Sequence, residues 1–166
     1  CSMSVSRPPR IDSFALPPGR LLAGRYEVGE LLGAGWAGEV YSVTERRTGI
    51  PREAKIFFPQ RNVRDRTLRT YAKKLNRLRD CPIIIQYHHS EQFSYRGHSI
   101  TALISDLVEG ELLEDFIRRQ SGRRLHPFEA LHLIHAIALG LEQIHNLGEY
   151  HGDLHDRNVL VRRQGL

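Results

Sequence analysis

The sequence predicts an α+β fold: a five-stranded antiparallel sheet with one helix, followed by a helix-rich second part. Three observations point there. Residues 26–58 read as strand, tight glycine turn, strand and strand again, rich in Val, Ile, Tyr and Phe. Two further strand-like runs, Ile83–His88 and Ile100–Ile104, flank a polar turn around Ser94–His98. Residues 63–79 and 127–146 instead repeat apolar side chains at helical spacing.

Composition sets the outer limits. With 166 residues, 40% hydrophobic and 26% charged, the chain can bury a real core and is not generally disordered. No apolar run approaches the roughly 20 residues of a membrane span, and no signal-peptide pattern opens the chain. Two cysteines, Cys1 and Cys81, make no disulfide framework, so a cytoplasmic location is expected. Lys plus Arg exceed Asp plus Glu by 24 to 19, a net charge of +5 that favours anionic ligands. Nucleotide phosphate satisfies that excess as readily as nucleic acid does.

Taken in order, residues 1–22 carry Arg7-Pro8-Pro9-Arg10 and Leu16-Pro17-Pro18-Gly19, and are expected to form an extended arm pinned to the body by Phe14 and Leu16. A strand from Tyr26 then leads into Gly33-Ala34-Gly35-Trp36-Ala37-Gly38, and Val40, Tyr41 and Val43 form the returning strand. Such glycines let a turn aim backbone amides at phosphate oxygens. A dinucleotide-binding loop would open a helix at its third glycine. Here strand formers follow instead. Next comes Arg52-Glu53-Ala54-Lys55-Ile56-Phe57-Phe58, with a lysine inside an apolar strand.

The helix over 63–79 places Leu68, Tyr71, Ala72, Leu75 and Leu78 on one face and Arg66, Arg69, Lys73 and Arg77 on another, and Asp80-Cys81-Pro82 ends it. That basic face is read as solvated, with an acidic partner as the other possibility. After Ser105-Asp106-Leu107-Val108-Glu109-Gly110, a short helix over 111–119 has acids first and arginines last, complementing the helix dipole. The helix opened by His126-Pro127 is apolar over most of its circumference. Nine histidines occur without a metal-binding ladder, so no structural metal is expected.

A loop then reads His151-Gly152-Asp153-Leu154-His155-Asp156-Arg157-Asn158, between that helix and a strand at Val159-Leu160-Val161. A carboxylate and a carboxamide five residues apart suit phosphoryl transfer: one accepts a proton from a hydroxyl, the other ligates a hard cation.

Glycine loop, strand lysine, hinge and this loop together resemble the protein-kinase superfamily over roughly Tyr26 to Leu160. The resemblance implies an N-lobe over 23–105, a hinge over 106–110 and a partial C-lobe over 111–166, ending before the Asp-Phe-Gly segment. It implies ATP and Mg as cofactors. Leu32, Gly33, Ala34, Gly35, Trp36, Ala37, Gly38, Val40, Ala54, Lys55, Ser105, Asp106, Val108 and Leu160 would line the nucleotide, with Ser105 as gatekeeper. Asp153 would be the base, His155 a positive charge near the transferred group, and Asn158 a magnesium ligand.

Departures are equally visible. Ala72 stands where kinases carry the helix glutamate that pairs with the strand lysine, and no glutamate lies between Glu53 and Glu91. Gly152 replaces an arginine and His155 a lysine. His-Gly-Asp is similar to aminoglycoside and choline phosphotransferases and to RIO kinases, whereas the glycine loop and hinge resemble bacterial serine/threonine kinases. The expectation is the ATP-binding portion of a serine/threonine kinase acting on a protein substrate, inactive alone. A non-catalytic pseudokinase-like module and a small-molecule phosphotransferase remain alternatives. The apolar second helix needs cover, from self-association or another chain, and nucleic acid is not favoured as a partner.

Overall fold

A computed structural model describes residues 9–162. They divide into two compact units, residues 9–76 with 86–107 and residues 77–85 with 108–162.

Side-chain alternation builds the first unit. Strands β1 (Leu21–Leu22), β2 (Tyr26–Ala34), β3 (Gly38–Glu45), β4 (Pro51–Phe57), β5 (Tyr87–Tyr95) and β6 (His98–Asp106) form one antiparallel sheet in the order β1-β2-β3-β4-β6-β5. The sheet has six strands where five are expected. The extra one, β1, has two residues and turns back onto Tyr26 through Ala23 and Gly24, both at positive φ, so it is too short to show a period. The predicted strand at Ile83–His88 also moves: pairing begins only at Tyr87, and Pro82–Ile85 turns within the second unit. Three isoleucines in a row are apolar enough for a strand or a buried turn, and Pro82 favours the turn.

Tyr26, Val28, Tyr41, Val43, Ala54, Ile56, Ile100, Ala102 and Ile104 are buried on one face of the sheet. Arm residues Ile11, Phe14 and Leu16 cover that face, with Phe14 stacked on Phe58 at 5.3 Å and edge-on to Tyr95 at 5.6 Å. An extended arm has no neighbouring strand to satisfy its backbone, so side chains do so. The Phe14 N–H donates to Glu39 Oε2 (3.2 Å), the Leu16 N–H to the Tyr41 hydroxyl (3.3 Å), and the Tyr95 hydroxyl to the Phe14 carbonyl (2.5 Å). The Pro8 part of the arm lies outside the described residues.

The opposite face meets α1 (Arg66–Arg77) through Leu68, Ala72 and Leu75, packed with Ala37, Phe57 and Leu103. A turn at Val63–Asp65 precedes α1 and is not α-helical, with Arg64 and Asp65 both in the left-handed region at φ 53° and 56°.

The second unit contains α2 (Leu113–Arg119), α3 (Pro127–Asn146) and a two-stranded ribbon of β7 (Glu111–Leu112) with β8 (Leu160–Val161). Leu78, Cys81 and Ile144 form its buried cluster. His126 caps α3: its ring accepts from the Phe128 N–H while Glu129 accepts from the His126 N–H. Phe128, Leu131, Ile134 and Leu139 of α3 are exposed. No helix among the described residues is long and apolar enough to cross a membrane.

Candidate active site

The glycine-rich turn lies at the β2–β3 hairpin, closed by the Gly35 N–H on the Gly38 carbonyl at 2.9 Å. The amide of Gly35 is therefore committed to the turn. Leu32, Gly33, Ala34, Gly35 and Trp36 are exposed, whereas Ala37 and Gly38 are buried. A Cβ at Gly38 would sit 1.9 Å from the Ile56 carbonyl oxygen, so only glycine lets β3 approach β4 there. Nothing lies within 4 Å of a Cβ at Gly33 or Gly35, which leaves room for a ligand against the hairpin. Arg61 sits over the Trp36 ring at 4.5 Å and holds the tip, a contact with no sequence signal.

Lys55 sits on β4 opposite Val40 and Leu103. Alternation puts Glu53 and Lys55 on the α1 side of the sheet, while Ala54, fully buried with Ile56, is on the arm side. Ala54 was expected beside the nucleotide with Lys55. Consecutive side chains of a strand point to opposite faces, so it is Glu53, not Ala54, that shares the face of Lys55. The register neighbours of Glu53 are Ser42 and the buried gatekeeper candidate Ser105. Burial pushes the Glu53 carboxyl above the usual carboxylate range, with Lys55 pulling the other way.

Ala72 is packed against the apolar cluster, on the apolar face where helical spacing puts it. The adjacent Tyr71 supplies what sequence reasoning missed: the Lys55 ammonium is 4.1 Å from its ring centroid, a cation–π contact. Asp106 is anchored by its side chain, which accepts from Arg52 (2.7 Å) and meets His88 Nε2 (2.6 Å). Val108 belongs to the second unit.

In that second unit the 151–158 loop is tied to the start of α2. A helix start leaves N–H groups without intrahelical partners, and here the Leu113 N–H donates to the Val159 carbonyl (2.8 Å) and the Glu114 N–H to the Asp156 carbonyl (3.2 Å). Leu160 pairs with Leu112 in the ribbon. Gly152 adopts φ 82°, a conformation an arginine would enter only with strain. Asn158 Nδ2 donates to the Asp153 carbonyl (2.7 Å) and to Asp153 Oδ2 (3.1 Å). His155 Nε2 lies 3.6 Å from Asp153 Oδ1. Because its nitrogen is turned to Asp153, the Asn158 carboxamide oxygen remains as a hard donor suited to magnesium. Asp153 and Asn158 are both exposed.

The protein kinase domain family matches residues 26–166. The chain belongs to the protein-kinase family. It is 30% identical over 152 residues to a probable serine/threonine-protein kinase of Streptomyces coelicolor, covering 88% of this chain and 22% of that protein. It is 33% identical over 139 residues to human dual specificity testis-specific protein kinase 1, covering 84% and 21%. Among solved structures, a cysteine variant of the Mycobacterium tuberculosis PknI kinase domain matches with a TM-score of 0.69 and 26% identity, over 90% of this chain and 60% of that domain. The chain thus spans about a fifth of these two curated relatives and 60% of that kinase domain.

Proposed function

We propose that this chain is the ATP-binding portion of a serine/threonine protein kinase that phosphorylates a protein hydroxyl. The observation that carries the reading is the Asp153–Asn158 pair: one side-chain amide fixes the proposed base and presents its own oxygen beside it. Asp153 orients the acceptor hydroxyl and takes its proton, an effect worth ~10²–10⁴-fold in rate. Lys55 holds phosphate oxygens, and Trp36 and Ala37 at the hairpin tip bring backbone amides to them. Asn158 holds magnesium, and His155, when protonated, adds positive charge near the reacting group. Bound Mg-ATP would supply the phosphoryl group and the metal that neutralises its charge.

The test uses the longest protein that contains this chain. Asp153→Asn should lower transfer of labelled phosphate to protein by ~10²-fold or more, with nucleotide binding retained. Unchanged transfer rules out Asp153 as the base, and labelling of an aminoglycoside or choline acceptor in place of protein rules out the protein-kinase reading.

A second reading, a kinase-like module that binds nucleotide without transferring phosphate, is favoured by one observation. Lys55 meets the Tyr71 ring, and Ala72 stands at the position of the kinase glutamate.

A further inference from the structure

The first turns of α1 concentrate positive charge at the wrong end of a helix. Arg64 and Arg66 sit at its N-terminal end, no acid occupies its first turn, and Arg69 and Lys73 continue the same stripe at i+3 and i+7 from Arg66. A helix N-terminus already carries partial positive charge, so these cations add to it, with Asp65 just ahead of α1 as the one acid there.

Three structural facts agree with that electrostatic reading. Arg64, Arg66, Arg69 and Lys73, together with Val63 and Thr70, line one open hollow of about 630 Å³. None of these four cations is engaged in an ion pair among the described residues, unlike Arg25, Arg52, Arg77, Arg118 and Arg119. The nearest acid in sequence, Asp65, is occupied elsewhere. Its carboxylate accepts from Asn62 (2.9 Å), Thr101 (2.7 Å) and Gln92 (3.3 Å), and it lines a neighbouring hollow. Arg64 also holds the left-handed φ of 53°, strain of a kind that persists where the surroundings or a function require it.

We propose that this face of α1 docks an Asp- or Glu-rich segment of a partner protein. Three guanidinium groups provide planar forks for carboxylates, and Val63, 63% exposed at the rim, provides an apolar contact for a side chain between the acids. No aromatic side chain lines the hollow, so the stacking platform on which single-stranded nucleic acid depends is absent there. One exposed valine is too little apolar surface to enter a lipid headgroup layer. Docking here is independent of the catalytic reading.

Fluorescence anisotropy of a labelled peptide of glutamates flanking a leucine, titrated with the full chain, tests the proposal. Arg69→Glu with Lys73→Glu should weaken binding about tenfold or more, and added salt should weaken it further. Arg46→Glu with Arg47→Glu, an equal charge change on the exposed turn after β3, should leave it within about twofold. Should the first pair fail to fold by circular dichroism, Arg69→Gln with Lys73→Gln replaces it and should still weaken binding several-fold. Equal loss in both pairs, no binding by the unmodified chain, or tighter binding of a mixed-sequence RNA or of phosphatidylserine vesicles overturns the proposal.

Discussion

Phe14→Ala probes whether the arm is structural. Phe14 is fully buried, stacks on Phe58 and meets Tyr95 edge-on, and its two backbone polar groups are taken by Glu39 and Tyr95. Removing a buried phenylalanine costs about 3–5 kcal/mol, and the loss of two aromatic pairs places this site toward the upper end. Against a typical net stability of about 5–15 kcal/mol that is a third or more. In a chain of this size each kcal/mol lowers Tm by about 2–4 °C, so a fall of roughly 10–20 °C is expected. Leu21→Ala, at an exposed position on the edge strand β1, is the control and should change stability by no more than about 0.5 kcal/mol. Urea titration and thermal melts of both variants measure the difference. If Phe14→Ala melts with Leu21→Ala, the arm does not cover the sheet, and Glu39 keeps Tyr41 but loses its partner on the arm.

Other outcomes follow from the same geometry. Burial raises the Glu53 carboxyl, so the folded state keeps its proton after the unfolded chain has lost it; stability falls as pH climbs from the usual carboxylate value to the raised one. Glu53→Gln should flatten that fall and raise stability at neutral pH, as read from urea midpoints across pH. The Tyr41 phenol, pushed up to about 12 by burial and its bond to Glu39, should give a late step in an ultraviolet absorbance titration, and Tyr41→Phe should remove that step. Gly38→Ala must separate β3 from β4 or fail to fold, seen as loss of the cooperative melt. Leu131→Glu with Ile134→Glu should lower the concentration-dependent mass seen by light scattering, since both side chains lie open on α3.

The sequence was most informative where a period ran long. The stripe of α3 and the alternation through β2–β4 place those elements correctly, and Gly38 marks a real close approach. Short or mixed signals misled. Two-residue β1 has no period, and Ile83–Ile85 fits a turn as well as a strand. The misplaced Ala54 is instructive because the rule that corrects it was available: counting by twos from Lys55 reaches Glu53. The Tyr71 contact with Lys55 was not available. It depends on the rotation of α1 against the sheet, which Leu68, Ala72 and Leu75 set together. Arg61 over Trp36 likewise depends on the turn after Phe58.

The misplaced Ala54 and the Tyr71 contact bear on the same question, because both concern the surroundings of Lys55 without a helix glutamate. An ammonium over an aromatic face gains about 0.5–2 kcal/mol and, unlike a carboxylate, the ring cannot neutralise it. Lys55 therefore meets no acid from α1, while burial pushes the Glu53 carboxyl two residues away above the usual carboxylate range and Lys55 pulls it back. A lysine so placed can attract phosphate strongly yet lacks the charged tether that fixes its position against α1. On the proposed function, phosphate affinity and phosphoryl transfer are thus separable. Tight nucleotide binding with slow transfer would follow from Tyr71 and Ala72 alone, without any change at Asp153 or Asn158.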